Sequence, residues 1–214
     1  MPKKKLERFT ELAKLKNVAQ INQVDLKEKL NKFLLGEQNI VLELACGKGD
    51  YSLALAQKFP HHKIIGIDIQ GERLWSGATK AQEKKLDNIF WLRIQIENLL
   101  EYFTKQSIAE IWITFPDPFP KDKQIKKRLT SPRFLEIYKK ILIPNALIHL
   151  KTDDLNLFDY SIETIKNQAG EILEEIKDIY NQGDIPDLLK IKTDFEKKHL
   201  QAGKSIHYLK FKLS

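Results

Sequence analysis

Two acids and two glycines raise the first question of chemistry. Glu43, Gly47 and Gly49 lie within ELACGKGDY (residues 43–51), and Asp68 follows 25 residues after Glu43, near the end of KIIGIDI. Glycines at a strand-to-helix turn let the backbone bend sharply and approach a ligand closely. The third glycine of the dinucleotide fingerprint is missing, with Ser52 in its place, which disfavours a pyrophosphate. An acid at the end of the second strand can accept two hydrogen bonds from a ribose diol. Together these residues suit an adenosine-bearing ligand without a diphosphate, of which S-adenosyl-L-methionine is the obvious one. A tight turn with a solvated aspartate beyond it would be written in the same letters.

A second group stands at PDPFPKDKQIKKRL (residues 116–129). Proline fixes its own φ and restricts the residue before it, so Asp117, held between Pro116 and Pro118, has a pre-set direction. A carboxylate so placed can accept hydrogen bonds from the N–H edge of guanine or face a developing positive charge. The basic run after it, Lys121, Lys123, Lys126, Lys127 and Arg128, suits a phosphate backbone.

The elements that must position these groups alternate. Apolar runs at residues 39–45, 63–69, 88–94, 108–115 and 145–152 read as buried strands. Helical spacing separates them at residues 50–59, 71–86, 98–105, 131–142 and 155–168, and Ser131-Pro132 marks a helix start. Two further strand candidates, residues 172–180 and 205–212, close the chain. This order predicts a Rossmann-like, doubly wound α/β sheet, mostly parallel, with helices on both faces and an antiparallel edge strand. In such sheets ligands bind beyond the carboxyl ends of the strands, where strand order reverses. The glycine loop and the proline corner are therefore expected to face one another.

Composition narrows the class of protein. The net charge of +7 is concentrated: residues 121–140 carry a local +6 and residues 1–16 a local +4, leaving −3 on the rest. A defined polyanion-binding face on a mildly acidic body accounts for that distribution, as would two solvated lysine-rich faces. No apolar run approaches the roughly 20 residues of a membrane helix, and the basic start lacks the apolar core of a secretory signal. One cysteine, Cys46, excludes an internal disulfide, and a reducing cytoplasm is the expected compartment. The five histidines show no ligand spacing, so no metal site is expected. Residues 1–37 are expected to form a basic arm and helix, and residues 38–214 a single domain.

The motifs, taken in order, resemble those of a known family. PDPFPKDKQIKKRL is similar to the PDPWPKxxHxKRRL signature of bacterial tRNA (guanine-N7)-methyltransferases. ELACGKGDY resembles their cofactor loop, GIDIQGERL the acid region of their second strand, KTDD (residues 151–154) a T-D element, and TDFEKKHLQAGKSIHYLKF their closing segment. The resemblance implies a class I methyltransferase that moves a methyl group from S-adenosyl-L-methionine to N7 of the variable-loop guanine (position 46) of tRNA and releases S-adenosyl-L-homocysteine. It implies cofactor contacts at Glu43, Asp68, Gln95 and Asp117, a catalytic role for Asp117, and tRNA contacts at Lys121, Asp153 and residues 193–196, which include Thr193 and Glu196. A monomer or homodimer is expected. The chain departs from the family pattern at Gln95, where an acid is usual, and at Phe119, Gln124, Ile125 and Cys46.

Guanine N7 carries a lone pair and no proton, so attack on an electrophilic methyl needs no general base, and positioning and charge matching are left to supply the rate. Thr193 and Glu196 also spell a capping box for a helix running towards Leu200, and Asp153 could cap the helix after it. Two other classes stay open. An amino-group methyltransferase of the same fold would show (D/N)PP(Y/F) in place of PDPF, and a non-catalytic RNA-binding module would fail to bind the cofactor.

Overall fold

The computed structural model describes residues 3–36, 39–181 and 183–213, with residues 3–6 described by their backbone alone. The expected boundary at residues 37 and 38 lies outside the described residues. The chain divides into two compact units, one ending at Tyr102 and the other beginning at Phe103.

The first unit runs α1 (Lys3–Leu12), β1 (Val18–Gln20), α2 (Leu26–Leu34), β2 (Ile40–Leu44), α3 (Asp50–Lys58), β3 (Lys63–Ile67), α4 (Gly71–Glu83) and β4 (Ile89–Arg93). Its strands lie in the order β1-β4-β3-β2, all parallel. β2 is buried along its whole length and β3 and β4 along four residues of five, as parallel strands covered on both faces must be. α1 packs on α4, α2 on β1, and α3 on β3 and β4. Strand β1 is absent from the sequence reading because three residues are too few to show a period. It pairs Val18 with Trp91 and Gln20 with Arg93, so residues before 37 contribute a sheet strand as well as helices. The helix expected over residues 98–105 is instead a 3₁₀ turn over Ile96–Glu101. It closes with Tyr102 N–H on the Leu99 carbonyl, a tight form typical of short connectors.

The second unit runs β5 (Ile108–Thr114), a 3₁₀ helix (Asp122–Lys127), α5 (Pro132–Ile141), β6 (Leu142–Thr152), α6 (Leu155–Asn167), β7 (Glu171–Ile176), α7 (Asp194–Gln201) and β8 (His207–Lys212). The order is β5-β6-β8-β7, with β5 parallel to β6 and β8 antiparallel to both its neighbours. Both late strand candidates are therefore strands, and β8 lies inside β7. The register sets Trp112 against His149 and Thr114 against Lys151. Across β5, β6 and β8 the rings of Trp112 and His149 stack at 3.9 Å, and the Tyr208 hydroxyl meets His149 Nδ1 at 2.7 Å. Edge strand β7 alternates exposed and half-buried residues and is tied to β8 by Lys212–Glu171 and Lys210–Glu174 pairs.

Candidate functional site

In the first unit, β2 ends at Leu44 and the chain turns through Ala45 (φ 56°), Gly47 (φ 58°) and Gly49 (φ 70°) before α3 begins. Glu43, wholly buried in β2, accepts the backbone N–H of Ser52 at 2.8 Å and also the Ser52 hydroxyl. Its charge sits at the positive end of α3. Ser52 thus has a positive role that spacing arguments missed: it is the partner of Glu43 as well as the residue standing where a third glycine would be.

Asp68 follows β3 directly. Its Oδ2 accepts the Gly47 N–H at 2.8 Å and its Oδ1 the Gln70 N–H at 2.7 Å. One carboxylate therefore fixes both the loop after β2 and the loop after β3. Each oxygen retains a lone pair, so a ribose diol remains an acceptable guest. A Cβ built on Gly47 would meet nothing within 4 Å, and the ligand side of the turn is open there. Beneath the loop the opposite holds: a Cβ on Gly49, Gly66 or Gly77 would strike the Trp91 indole at 1.9, 2.6 and 2.6 Å. Trp91, fully buried, is the floor on which the loop and α4 rest. The Cys46 thiol is buried, and burial followed by the charges of Glu43 and Asp68 pushes its pKa well up, so it stays protonated and inert.

Glu43, Gly47, Gly49 and Asp68 are therefore brought together as expected. Gln95 is exposed just beyond β4, its carbonyl accepting the Asn98 N–H at 3.0 Å. Ile69, 45% exposed beside Asp68, is an apolar surface at the same strand end that no polar motif could have indicated.

In the second unit, β5 leads into the proline corner through Phe115 (φ 50°), whose N–H donates to the Lys151 carbonyl at 2.7 Å. Pro116 is buried, while Asp117 is exposed and, among the described residues, holds no hydrogen bond or ion pair. Lys121, Lys123, Lys126 and Lys127 are exposed, again with no acid paired to them among the described residues. Lys127 Nζ lies 6.0 Å from the centre of the Phe119 ring.

Two residues expected to meet RNA are buried and bonded within the protein. Arg128 is 7% exposed; it donates from Nε to the Pro118 carbonyl at 2.9 Å and from Nη2 to the Phe119 carbonyl at 3.2 Å, over the Tyr160 ring. Glu196 is fully buried. It pairs with Lys151 Nζ at 2.8 Å and accepts the Tyr180 hydroxyl at 2.6 Å. Lys151 also donates to the carbonyls of Leu189 and Ile191 at 3.0 and 2.9 Å. Burial lowers the Lys151 pKa, against the pull of Glu196.

The capping box is half formed. Thr193 Oγ1 accepts the Glu196 N–H at 3.0 Å, but the Glu196 side chain turns inward to Lys151. Asp154, not Asp153, caps α6, accepting the Leu157 N–H at 2.7 Å. Asp153 instead meets Lys204 at 2.6 Å and His199 Nδ1 at 2.7 Å. Burial raises its pKa, but these two partners more than offset that, and the carboxyl is held below its usual range. Phe195, 46% exposed, stacks on His199 at 3.9 Å and faces Phe115 at 5.3 Å. Among the described residues no group of three or more His, Cys, Asp or Glu could hold a metal ion, and no helix is long and apolar enough to cross a membrane.

The comparisons with known proteins agree with one another. Residues 37–209 match the family described as "Putative methyltransferase". A tRNA (guanine-N(7)-)-methyltransferase of Christiangramia forsetii is 42% identical over 99% of this chain and 98% of its own length. The protein of the same name from Bacteroides fragilis is 38% identical over 100% of this chain and 87% of its own. Among solved structures, the 16S rRNA methyltransferase KamB superposes with a TM-score of 0.68 at 14% identity, covering 87% of this chain and 93% of that one. An antibiotic-related methyltransferase gives 0.68 at 18% identity, covering 90% and 97%. At that identity the likeness shows the fold, a mixed, mostly parallel α/β methyltransferase sheet.

Proposed function

Because the chain belongs to the family of tRNA (guanine-N(7)-)-methyltransferases, we propose that it methylates N7 of the variable-loop guanine, position 46, of tRNA, taking the methyl group from S-adenosyl-L-methionine. When bound, that cofactor supplies a sulfonium-activated methyl group and leaves as S-adenosyl-L-homocysteine. The observation that carries the reading is an unpaired, exposed Asp117 between two prolines, followed at once by four exposed lysines without acidic partners among the described residues.

The glycine turn fits the cofactor. The space over Gly47 admits a ligand. Asp68, with a lone pair left on each oxygen, would hold the ribose diol, and Gln95 would meet the adenine edge. Glu43 keeps the first turn of α3 in place through Ser52. Asp117 would accept the N–H edge of guanine, orienting N7, and would offset the charge that the purine gains on alkylation. No residue need remove a proton from N7. Lys121, Lys123, Lys126 and Lys127 would lie on tRNA phosphates, and Thr193 and Asp153 would border the bound RNA. We place this activity in the cytoplasm, where tRNA is found.

The test is incubation of unmodified tRNA with labelled S-adenosyl-L-methionine, followed by strand cleavage specific for N7-methylguanine. Cleavage at position 46 is expected. Label on an amino group of a base would favour the amino-methylating alternative, and failure to bind the cofactor the non-catalytic one. Asp117→Ala should bind cofactor and tRNA yet lose about two orders of magnitude in turnover, as the loss of one preorganised charge partner does. Wild-type turnover in that variant would refute the assignment.

A further inference from the structure

The basic run is not uniform. Its four lysines are exposed, whereas its one arginine is turned inward. We propose that Arg128 is a positioning residue. Its guanidinium clamps the corner of residues 116–120 in the conformation that presents Asp117, and it does not bind phosphate. The catalytic part of this proposal rests on the function proposed above; the conformational part does not.

The corner needs an outside donor. Pro116, Pro118 and Pro120 have no N–H, so the segment cannot be held by a backbone ladder, and its carbonyls must find partners elsewhere. Arg128 supplies two from one rigid fork, to the successive carbonyls of Pro118 and Phe119. Those two carbonyls bracket the one residue of the corner with a left-handed backbone, Phe119 at φ 44°. A bulky side chain in that region is strained and persists only where its surroundings impose the conformation. The guanidinium carbon lies 4.5 Å from the centre of the Tyr160 ring on α6, so the corner is referred to a helix and not to a loop. Planarity, the fork and stacking on an aromatic face are all properties that lysine lacks. The lysines of the run, being single flexible charges, suit phosphate instead.

The test compares wild type with Arg128→Lys, Arg128→Met and Tyr160→Ala. A clamp and a phosphate-binding residue predict opposite results. If Arg128 is a clamp, lysine at this position keeps the charge but loses the fork. The lysine variant should then lose about tenfold or more in kcat, as small misplacements of catalytic groups do. Its tRNA affinity and cofactor affinity should stay within about twofold of wild type, and the slope of log K against log salt should not change. Tyr160→Ala, which removes no charge, should show the same split. If Arg128 touches phosphate, Arg128→Met should weaken tRNA binding and reduce the salt slope by about one, and Arg128→Lys should largely restore both. That pattern overturns the proposal.

Crystal structures of wild type and Arg128→Lys give a readout independent of turnover. Phe119 should relax to negative φ and Asp117 should move. An unmoved corner with Phe119 still left-handed also overturns the proposal. Should wild type prove inactive on tRNA, the functional reading fails by itself while the crystal structures still decide the clamp.

Discussion

Glu196→Ala is the substitution whose outcome separates a buried counter-ion from an RNA-binding residue. The carboxylate is fully buried, as is Lys151, and it is shared between Lys151 Nζ at 2.8 Å and the Tyr180 hydroxyl at 2.6 Å. Removing it takes this carboxylate from a buried ammonium that also donates to the carbonyls of Leu189 and Ile191, and takes from the Tyr180 hydroxyl the oxygen to which it donates. Breaking a buried pair by deleting one partner costs about 3–5 kcal/mol. For a chain of this length each kcal/mol lowers Tm by roughly 2–4 °C, so the variant should melt about 6–20 °C below wild type by calorimetry. Removing both charges with shape kept, Lys151→Met with Glu196→Leu, should recover most of the loss, since a buried pair is often replaced by apolar residues without penalty. Thr193→Ala, which deletes the cap alone, should cost only about 1 kcal/mol. The reasoning is refuted if Glu196→Ala melts within about 2 °C of wild type, as surface substitutions do, and only tRNA affinity suffers.

Four other outcomes follow from the same structure. Gly49→Ala should abolish folding or cofactor binding, because its Cβ would lie 1.9 Å from Trp91 at φ 70°. Gly47→Ala, also left-handed but with open space around its Cβ, should cost about 1–2 kcal/mol of stability while weakening the cofactor in a binding titration. Reversing Lys126 and Lys127 to Glu should flatten the salt dependence of tRNA binding by roughly 0.7–0.9 for each phosphate that is no longer neutralised and leave cofactor affinity unchanged, as filter binding and calorimetry would show. Cys46 keeps its proton in the folded state when the unfolded chain, near its ordinary pKa of 9.0, has begun to lose it. This group therefore favours the unfolded state increasingly as pH rises through 9.0. Alkylation at about pH 9, near that ordinary thiol value, should proceed only as fast as the protein opens, and rapid labelling of the native protein would contradict the burial.

Much of the fold was legible because its signals are local. Continuous apolar runs and helical periods located every strand and most of the helices long enough to display a period after residue 38, and Val18–Gln20 was missed for want of length. The glycine loop was legible for a related reason: glycine spacing states a backbone requirement, and the acid at a strand end is placed by chain geometry alone. Ser52 was seen only as a missing glycine, since nothing in the local pattern shows that a glutamate nine residues earlier accepts its N–H. Trp91 gave no hint of lying under three glycines drawn from α4, β3 and the loop.

The order of elements, the class of cofactor loop, the proline corner and the concentration of positive charge were determined by the amino-acid sequence itself, since propensity, periodicity and covalent restriction act between near neighbours. Only the tertiary structure decided which charged residues face outward. Arg128 sits in the same basic run as Lys126 and Lys127, yet the Tyr160 ring of α6 and the carbonyls of Pro118 and Phe119 draw it inside. Glu196 was written as half of a capping box, yet Lys151, 45 residues earlier, takes its carboxylate. The physical reason is common to both cases. The fate of a charge depends on its desolvation and on the partner it finds, and both are set by residues that only folding brings together.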